Sequence, residues 1–182
     1  MNNQTLRTRL AQARYRLPMQ RRIEASAKIS DNILWLASDA HRIGTYLSFA
    51  SEVDTIDAIM AWLGDGKEVY VPRMTGDDFQ WIRLKDFKTL ATNSFGIPEP
   101  IEGESIDIAQ LDVVFVPMFG FDDELHRIGH GKGCFDRGIK NYAGRKIGLC
   151  YAEGYVDSIF PSSTDVAMDI IITEKEIYSK HR

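Results

Sequence analysis

The chain has 182 residues, a formal net charge of −4, and apolar and charged fractions of 44% and 26%. These values are typical of a soluble globular protein and predict a single domain spanning residues 1–182. The apolar runs are too short for a transmembrane helix, and the mildly acidic balance argues against bulk nucleic-acid binding. Two cysteines, Cys134 and Cys150, are too few for a disulfide scaffold, and the polar N-terminus is unlike a secretory signal, so we expect a cytoplasmic protein.

The start of the chain is typical of two consecutive helices. Pro18, a residue favoured at the first position of a helix, separates them. Both segments repeat their apolar residues three or four positions apart, and most arginines of the first segment fall on its other faces, as on a solvated helix surface. The predicted inner positions are Leu6, Leu10, Ala13 and Leu17 in the first helix, and Ile23, Ala27, Ser30 and Leu34 in the second.

Strand and helix patterns alternate along the rest of the chain. Ile43–Phe49 is typical of a strand, a helix capped by Asp54 follows, and Glu68–Val71 is the next strand, which ends before Pro72. A strand, a helix and a strand within about thirty residues predict a parallel βαβ unit. Further buried strands are expected at Leu111–Val116, Lys146–Cys150 and Met168–Thr173, whereas Asn93–Glu104 should be a loop and Met118–His126 should cross the surface. We therefore predict an α/β fold with a largely parallel sheet flanked by helices and preceded by an N-terminal helical pair.

The segment Arg127–Gly138, with the sequence RIGHGKGCFDRG, gives the clearest functional signal. Its alternating glycines permit positive φ and leave backbone N–H groups uncovered, so a ligand can approach the main chain closely. Uncovered N–H groups next to concentrated positive charge predict an anion site, for which phosphate is the usual ligand. The carboxylate of Asp136 would then hold a divalent metal that itself binds phosphate. The cationic side chains of the segment are Arg127, His130, Lys132 and Arg137.

This glycine loop fits neither of the two familiar phosphate-binding fingerprints. A P-loop lysine is followed by Ser or Thr, whereas Lys132 is followed by Gly133. A dinucleotide loop needs a third glycine where Cys134 or Asp136 stands. The alternative interpretation is a surface turn whose charges lie in water. The loop follows the carboxyl end of the predicted Leu111–Val116 strand, the edge at which open α/β sheets bind ligands, and this favours a binding site.

The glycine loop and several shorter motifs resemble the 5-formyltetrahydrofolate cyclo-ligase family, also called methenyltetrahydrofolate synthetases. The loop matches the family pattern R-[IL]-G-x-G-x-G-x-[YF]-D-R, and the resemblance covers nearly the whole chain. The other motifs are individually weaker but occur in the order typical of the family. They are Leu6–Arg7, the YLS of Tyr46–Ser48 with Glu52 and Thr55, the GIPEP of Gly96–Pro100, the strand ending at Pro117, and the pair Asp165 and Asp169.

The resemblance implies an ATP- and magnesium-dependent conversion of 5-formyltetrahydrofolate to 5,10-methenyltetrahydrofolate, with release of ADP and phosphate. The formyl oxygen would attack the γ-phosphorus of ATP, N10 would attack the activated carbon, and phosphate would leave. Phosphoryl transfer depends mainly on positioning and charge neutralisation, which this loop can supply. The implied partners are reduced folate, ATP and Mg²⁺, without nucleic acid or membrane, and we expect a monomer.

The resemblance also implies roles for individual residues. Lys132 and Arg127 would be the catalytic groups, with Lys132 closest to the transferred phosphoryl group. Asp136 and Asp165 would hold magnesium. The residues expected to bind ATP are Asn3, Arg7, Arg127, Ile128, Gly129, His130, Gly131, Lys132, Gly133, Cys134 and Phe135, and those expected to bind folate are Leu47, Glu52, His130, Gly131, Lys132, Gly133 and Cys134.

Three positions depart from the family pattern: Asn3 stands where lysine is usual, Cys134 where tyrosine is common, and Leu125 where glycine is frequent. The local sequence also allows simpler roles, since Asp165 could cap a turn and Glu52 could cap or solvate the helix after Asp54. Two rival functions stay open. One is a sugar-phosphate isomerase or acyl-transferring enzyme that uses the loop for a substrate phosphate, and the other is a non-catalytic nucleotide-binding module.

Overall fold

The computed structural model describes residues 2–180 and contains the predicted N-terminal helical pair. Helix α1 spans Asn3–Arg16 and is capped by Asn2, whose side chain accepts a hydrogen bond from the Thr5 N–H. The other helices in the described part of the chain are α2 (Met19–Leu36), α3 (Ile56–Gly64) and the short α4 (Cys134–Gly138). Short 3₁₀ segments occur at Phe87–Thr89, Ile108–Gln110 and Ala152–Gly154.

The strands, in chain order, are β1 (Arg42–Gly44), β2 (Glu68–Thr75), β3 (Asp78–Leu84), β4 (Leu90–Thr92), β5 (Pro98–Pro100), β6 (Ser105–Ile106), β7 (Val113–Pro117), β8 (Gly120–Phe121), β9 (Arg127–Ile128), β10 (Arg145–Leu149), β11 (Ile170–Ile172) and β12 (Ile177–Ser179). Within residues 2–180, eight of them form one sheet in the order β12-β11-β10-β7-β1-β2-β3-β6. The five central strands, β11 to β2 in that order, are parallel, and the antiparallel β12, β3 and β6 complete the edges. The predicted α/β fold with a largely parallel sheet is therefore confirmed.

Both faces of the sheet are covered, as expected for parallel strands. On one face, α2 and α3 pack Ile33 and Trp62 against the strand residues Ile43 and Phe115, and the Trp62 and Phe115 rings stack 5.3 Å apart. On the other face, a second cluster contains Val114, Val116, Phe121, Ile139, Tyr142 and Ile171. The sheet therefore gives a rigid support to the loops at its carboxyl edge.

Helix α1 packs against the β8–β9 hairpin, which directly precedes the glycine loop. Leu6 and Leu10 are buried there against Phe119 and Ile128. The hairpin pairs Gly120 with Ile128 and Phe121 with Arg127. This arrangement holds the first helix and the glycine loop side by side.

No helix within residues 2–180 has the length and apolar character that a membrane span requires.

The buried face of α2 differs from the predicted one. Ile23 and Ala27 are exposed, and the buried positions are Ala25, Ser26, Ile29 and Ile33. The helix carries apolar residues on two adjacent stripes, and the sheet covers the stripe that contains Ile29 and Ile33. The spacing identified the helix correctly but selected the wrong stripe.

The Met118–His126 segment does not cross the surface as predicted, because Phe121 and Leu125 are fully buried in the second cluster. The buried carboxylate of Asp122 organises its turn by accepting hydrogen bonds from the backbone N–H groups of Glu124, His126 and Ile159. Leu125 lies in the left-handed region, with φ of 61°. This conformation explains why glycine suits its position.

Three details of the strands also differ from the predictions. Strand β1 ends at Gly44 instead of Phe49, since after Thr45 the chain leaves the sheet towards the carboxyl edge. The predicted loop at Asn93–Glu104 contains β5, which pairs with β4 in a hairpin whose tip is residues 93–97. Strand β2 continues through Pro72 to Thr75, because its partner β3 extends the pairing beyond the parallel part of the sheet.

Candidate functional site

A cavity of about 610 Å³ opens at the carboxyl edge of the parallel strands. Its walls come from α1, from the segment after β1, from β2, from the β4–β5 hairpin tip, from the glycine loop and from the turn before β11. This volume lies within the usual range for small-molecule sites, about 300–1,000 Å³. All of the predicted site residues line it: Asn3, Arg7, Leu47, Glu52, Arg127, Ile128, Gly129, His130, Gly131, Lys132, Gly133, Cys134, Phe135, Asp136 and Asp165.

The glycine loop is tightly packed against helix α1. Arg7 Nε donates to the Gly129 carbonyl at 2.9 Å, and a Cβ at Gly131 would lie 3.0 Å from the Arg7 guanidinium. Gly131 has φ of 97° and Gly133 has φ of 67°, so both positions require a conformation that favours glycine. Arg7 therefore fixes the loop and at the same time lines the cavity.

Lys132 is exposed at the mouth of the cavity. Its Nζ lies 4.0 Å from the centroid of the Phe95 ring, which is at the tip of the β4–β5 hairpin. Its carbonyl accepts a hydrogen bond from Arg137 Nη1 at 2.9 Å, which fixes the backbone, whereas the ammonium group makes no hydrogen bond within residues 2–180 and contacts the Phe95 ring. An exposed cation–π contact of this kind contributes about 0.5–1 kcal/mol, so the ammonium group can exchange it readily for a phosphate.

Arg127 and Asp136 form an ion pair at the base of the loop. Arg127 Nη1 donates to Asp136 Oδ1 at 2.7 Å and to the Val166 carbonyl at 3.0 Å, and Asp136 Oδ1 also accepts from the Val166 N–H at 3.0 Å. Arg127 is only 8% exposed, and its buried Nε has no hydrogen-bond partner within residues 2–180. The pair joins β9, α4 and the segment before β11, so it has a structural role besides any role in binding.

Asp165 lies in an exposed turn, where its Oδ2 accepts a hydrogen bond from the Ser162 N–H at 2.9 Å. This contact is the turn-capping role that the local sequence allowed. No group of three or more metal-ligating His, Cys, Asp or Glu side chains is present between residues 2 and 180. Magnesium usually takes only one or two protein carboxylates and obtains its other ligands from phosphate and water. Asp136 and Asp165 suit such a minimal site, since within residues 2–180 one oxygen of each carboxylate makes no hydrogen bond and both side chains line the cavity.

Glu52 and His130 lie together at the inner end of the cavity. The Glu52 side chain is only 10% exposed, its Oε2 accepts from the Phe49 N–H at 2.9 Å, and its Oε1 lies 3.6 Å from His130 Nε2. Burial raises the pKa of Glu52, although the Phe49 N–H and the charge of Arg14 oppose the effect. The imidazole of His130 is half exposed, yet its position inside the cavity and the nearby Arg14 and Arg7 lower its pKa to about 4. His130 is therefore neutral near pH 7 and can both donate and accept a hydrogen bond.

Several other predicted contact residues have a structural role as well. Asn3 Nδ2 donates to the Phe160 carbonyl at 2.6 Å, and Cys134 Sγ donates to the Asp77 carbonyl at 3.3 Å. Ile128 is buried against α1, and the Phe135 ring packs against Phe79 and Trp81 at centroid distances of 5.2 and 6.3 Å. Leu47 belongs to the core cluster on the α2 and α3 face and reaches the cavity at its edge.

The sequence did not predict two features of this site. Arg14 is buried and lines the cavity, although the arginines of α1 were expected to be solvated. Its i, i+4 spacing from Leu6 and Leu10 was the signal that could have placed it on the buried face, where Ala13 was predicted instead. The β4–β5 hairpin tip, with Phe95, was treated as a plain loop.

Comparison with known proteins gives consistent matches over nearly the whole chain. A model of the 5-formyltetrahydrofolate cyclo-ligase family matches residues 1–174. A probable 5-formyltetrahydrofolate cyclo-ligase of Caenorhabditis elegans is 31% identical over 173 residues, which cover 86% of this chain and 84% of that protein. The 5-formyltetrahydrofolate cyclo-ligase of Haemophilus influenzae is 27% identical over 180 residues, which cover 93% of this chain and 96% of that protein.

Solved structures show the same fold. The NMR structure of Aquifex aeolicus 5,10-methenyltetrahydrofolate synthetase matches with a TM-score of 0.87 and 29% identity, and the match covers 98% of this chain and 93% of that one. The 5,10-methenyltetrahydrofolate synthetase of Mycoplasma pneumoniae matches with a TM-score of 0.80, and at 22% identity it supports the fold alone, over 96% of this chain and 99% of that one.

The structure is that of an α/β protein with a cavity of small-molecule size at the carboxyl edge of its parallel strands. Because the family model spans nearly the whole chain and relatives match over most of their length, the chain belongs to the 5-formyltetrahydrofolate cyclo-ligase family. The resemblance seen in the glycine loop is thus confirmed, and with it the prediction that the protein is an enzyme of the ligase class.

Proposed function

We propose that the protein converts 5-formyltetrahydrofolate to 5,10-methenyltetrahydrofolate at the expense of ATP, through a phosphorylated formyl group. The observation that carries the proposal is one cavity with two chemically different ends. Cationic groups and bare backbone lie at the glycine loop, and a buried acid beside a neutral histidine lies at the inner end. Family membership supports both substrates.

The glycine-loop end is suited to the triphosphate. Arg7 and Lys132 bring positive charge to a segment whose glycines at positions 129, 131 and 133 leave the backbone open. Charge-assisted hydrogen bonds from such groups are the strong contacts in phosphate binding. We assign Lys132 to the transferred phosphoryl group, because its ammonium group is exposed at the cavity mouth, where it makes a weak contact with the Phe95 ring. We assign Arg127 to holding the loop and Asp136 in place beside the phosphates.

Magnesium is proposed to bind the phosphates of ATP, with Asp136 and Asp165 as its protein ligands. Its chemistry there would be to neutralise charge on the phosphate oxygens. The Asp136 carboxylate is already oriented by Arg127 and by the Val166 N–H, which fixes its unused oxygen. Asp165 is held by the Ser162 N–H and directly precedes Val166, whose N–H binds Asp136, so the two acids lie on adjoining segments of the cavity wall.

The inner end is suited to the heterocyclic ring of a reduced folate. The ring carries N–H donors, and the buried carboxylate of Glu52 is an acceptor that its Phe49 contact orients. His130 can pair with a donor or an acceptor, since it is neutral near pH 7. Leu47 supplies apolar contact at the same end. This assignment places the formyl group between Glu52 and Lys132.

The proposed reaction is the one that the family resemblance implies, and this arrangement is suited to it. The formyl oxygen attacks the γ-phosphorus and the bond to the bridging oxygen of ADP breaks, so the formyl oxygen becomes part of a good leaving group. N10 then attacks the activated carbon and loses its proton, and the C–O bond breaks with release of inorganic phosphate. Positioning and neutralisation of charge supply most of the acceleration in phosphoryl transfer, so rigid glycine-loop donors suit the task.

The test is an assay of the purified protein with 5-formyltetrahydrofolate, ATP and magnesium, in which the absorbance of the methenyl product is followed. We expect product only when ATP and magnesium are both present, with one ADP formed per product. Binding of ATP without turnover would support a nucleotide-binding module instead. Absence of both binding and turnover would contradict the proposal and favour an enzyme that uses the loop for a substrate phosphate.

A further inference from the structure

Arg14 lies behind the inner end of the cavity, with only 6% of the residue exposed. Its Nε donates to Ser51 Oγ at 3.0 Å and its Nη1 donates to the Met118 carbonyl at 3.3 Å. Its guanidinium carbon lies 4.0 Å above the centroid of the Phe119 ring. Both acceptors are uncharged, so neither of them neutralises the charge of the guanidinium group. Burial of a charge is costly, and a buried charge usually has a specific role.

The contacts of Arg14 reach both members of the acid–histidine pair. Ser51 directly precedes Glu52 in the chain, and the Phe119 ring packs against the His130 ring at a centroid distance of 4.7 Å. Glu52 and His130 come from different parts of the chain, yet they approach to 3.6 Å. Arg14 therefore connects the two segments that carry them.

The charge of Arg14 also acts on Glu52. Burial raises the pKa of Glu52, and Arg14 is the charged side chain that opposes this effect. The other groups facing Glu52 are the Phe49 N–H, His130 from the glycine loop, and Tyr46 from the segment after β1. Near neutral pH neither of these two side chains is charged, because the pKa of His130 is lowered to about 4 and burial raises that of Tyr46 well above its usual value.

We propose that Arg14 is a positioning residue for the folate end of the cavity, which holds Glu52 and His130 in place and keeps Glu52 an anionic acceptor for the ring N–H groups. This inference rests on the proposed function, since it takes the ring to lie against Glu52. Arg14 contributes to folate binding through its contacts with Ser51 and Phe119, the neighbours of Glu52 and His130. Arg7, about two turns nearer the N-terminus, serves the phosphate end instead.

The experiment compares Arg14→Met, which removes the charge, with Arg14→Lys, which keeps it. Arg16→Met, an exposed position on the same helix, is the matched control. KM for 5-formyltetrahydrofolate, KM for ATP and kcat are measured across the acidic and neutral range, together with the thermal midpoint. We expect Arg14→Met to raise the folate KM about tenfold and to leave the ATP KM within about twofold. The acidic limb of kcat/KM for folate should move up by about one pH unit, because the charge of Arg14 lowers the pKa of both Glu52 and His130 and is lost in this variant. Arg14→Lys should keep that limb near its original pH.

Ser51→Ala, which removes the acceptor of Arg14 Nε, tests the same point if Arg14→Met does not fold, and it should raise the folate KM selectively by a smaller factor. Equal increases in both KM values, or an acidic limb that does not move in a folded Arg14→Met, would overturn the inference. If the wild-type protein is active but the Arg14 variant raises the KM for ATP as much as the KM for folate, this inference alone is refuted. A wild-type protein that forms no methenyl product refutes the proposed function itself.

Discussion

Replacement of Lys132 by alanine tests the assignment of the phosphate site. In the free protein its Nζ makes a cation–π contact with Phe95 at 4.0 Å, on an exposed side chain. Loss of that contact should cost only about 0.5–1 kcal/mol, which corresponds to a decrease of about 1–4 °C in the thermal midpoint for a chain of this size. Loss of a donor that meets charge on the γ-phosphoryl oxygens in the transition state should lower kcat about a hundredfold, or about 3 kcal/mol.

The assay is steady-state formation of the methenyl product, with the thermal midpoint measured on the same samples. Because the donor acts mainly in the transition state, kcat and kcat/KM should fall together while both KM values change less. Lys140→Ala is the matched control, since Lys140 is exposed just beyond α4 and does not line the cavity. Near-wild-type kcat/KM in a folded Lys132→Ala protein would refute the reasoning.

Three further predictions follow from single contacts. Asp136→Asn should raise the magnesium concentration needed for half-maximal activity, and it should lower the thermal midpoint because it weakens the ion pair with the buried Arg127. Titration with magnesium and thermal melts test the two effects. An unchanged magnesium dependence would assign a structural role alone to Asp136. Asn3→Lys should lower the KM for ATP about fivefold, or about 1 kcal/mol, and leave the folate KM nearly unchanged; an unaltered ATP KM would mean that the start of α1 does not reach the nucleotide. Leu125→Gly should relieve about 1–2 kcal/mol of backbone strain at φ of 61° but lose about 2–5 kcal/mol of buried side-chain packing. Denaturant unfolding should therefore show a net loss of stability, and a more stable variant would contradict this balance.

The parts of the fold that depend on local pattern could be predicted from the sequence. The central strands β7 and β11 are continuous apolar runs, and α1 and α3 have regular spacing of apolar residues. The errors occur where tertiary contacts choose between two local possibilities. Helix α2 has two apolar stripes, and only packing against the sheet selects Ile29 and Ile33. The Met118–His126 segment contains charged residues typical of a surface, but the hydrogen bonds of Asp122 allow it to be buried.

The same division applies to the candidate site. The glycine loop is a local feature, so its residues could be identified from the alternation of glycine with basic side chains. The ion pair between Arg127 and Asp136 and the approach of Glu52 to His130 depend on distances that no local pattern specifies. The spacing of Arg14 from Leu6 and Leu10 could have placed it on the buried face of α1, but its stacking on Phe119 exists only once α1 packs against the β8–β9 hairpin.

The central claim is that the formyl oxygen of the folate is phosphorylated by ATP. The most direct measurement uses 5-formyltetrahydrofolate that carries ¹⁸O in its formyl carbonyl, with unlabelled ATP and water. After a single turnover, the mass of the inorganic phosphate and of the ADP is determined. The account predicts that the label is in the inorganic phosphate and absent from ADP, since the C–O bond breaks after the oxygen has been phosphorylated. Methenyl product accompanied by unlabelled phosphate would contradict it.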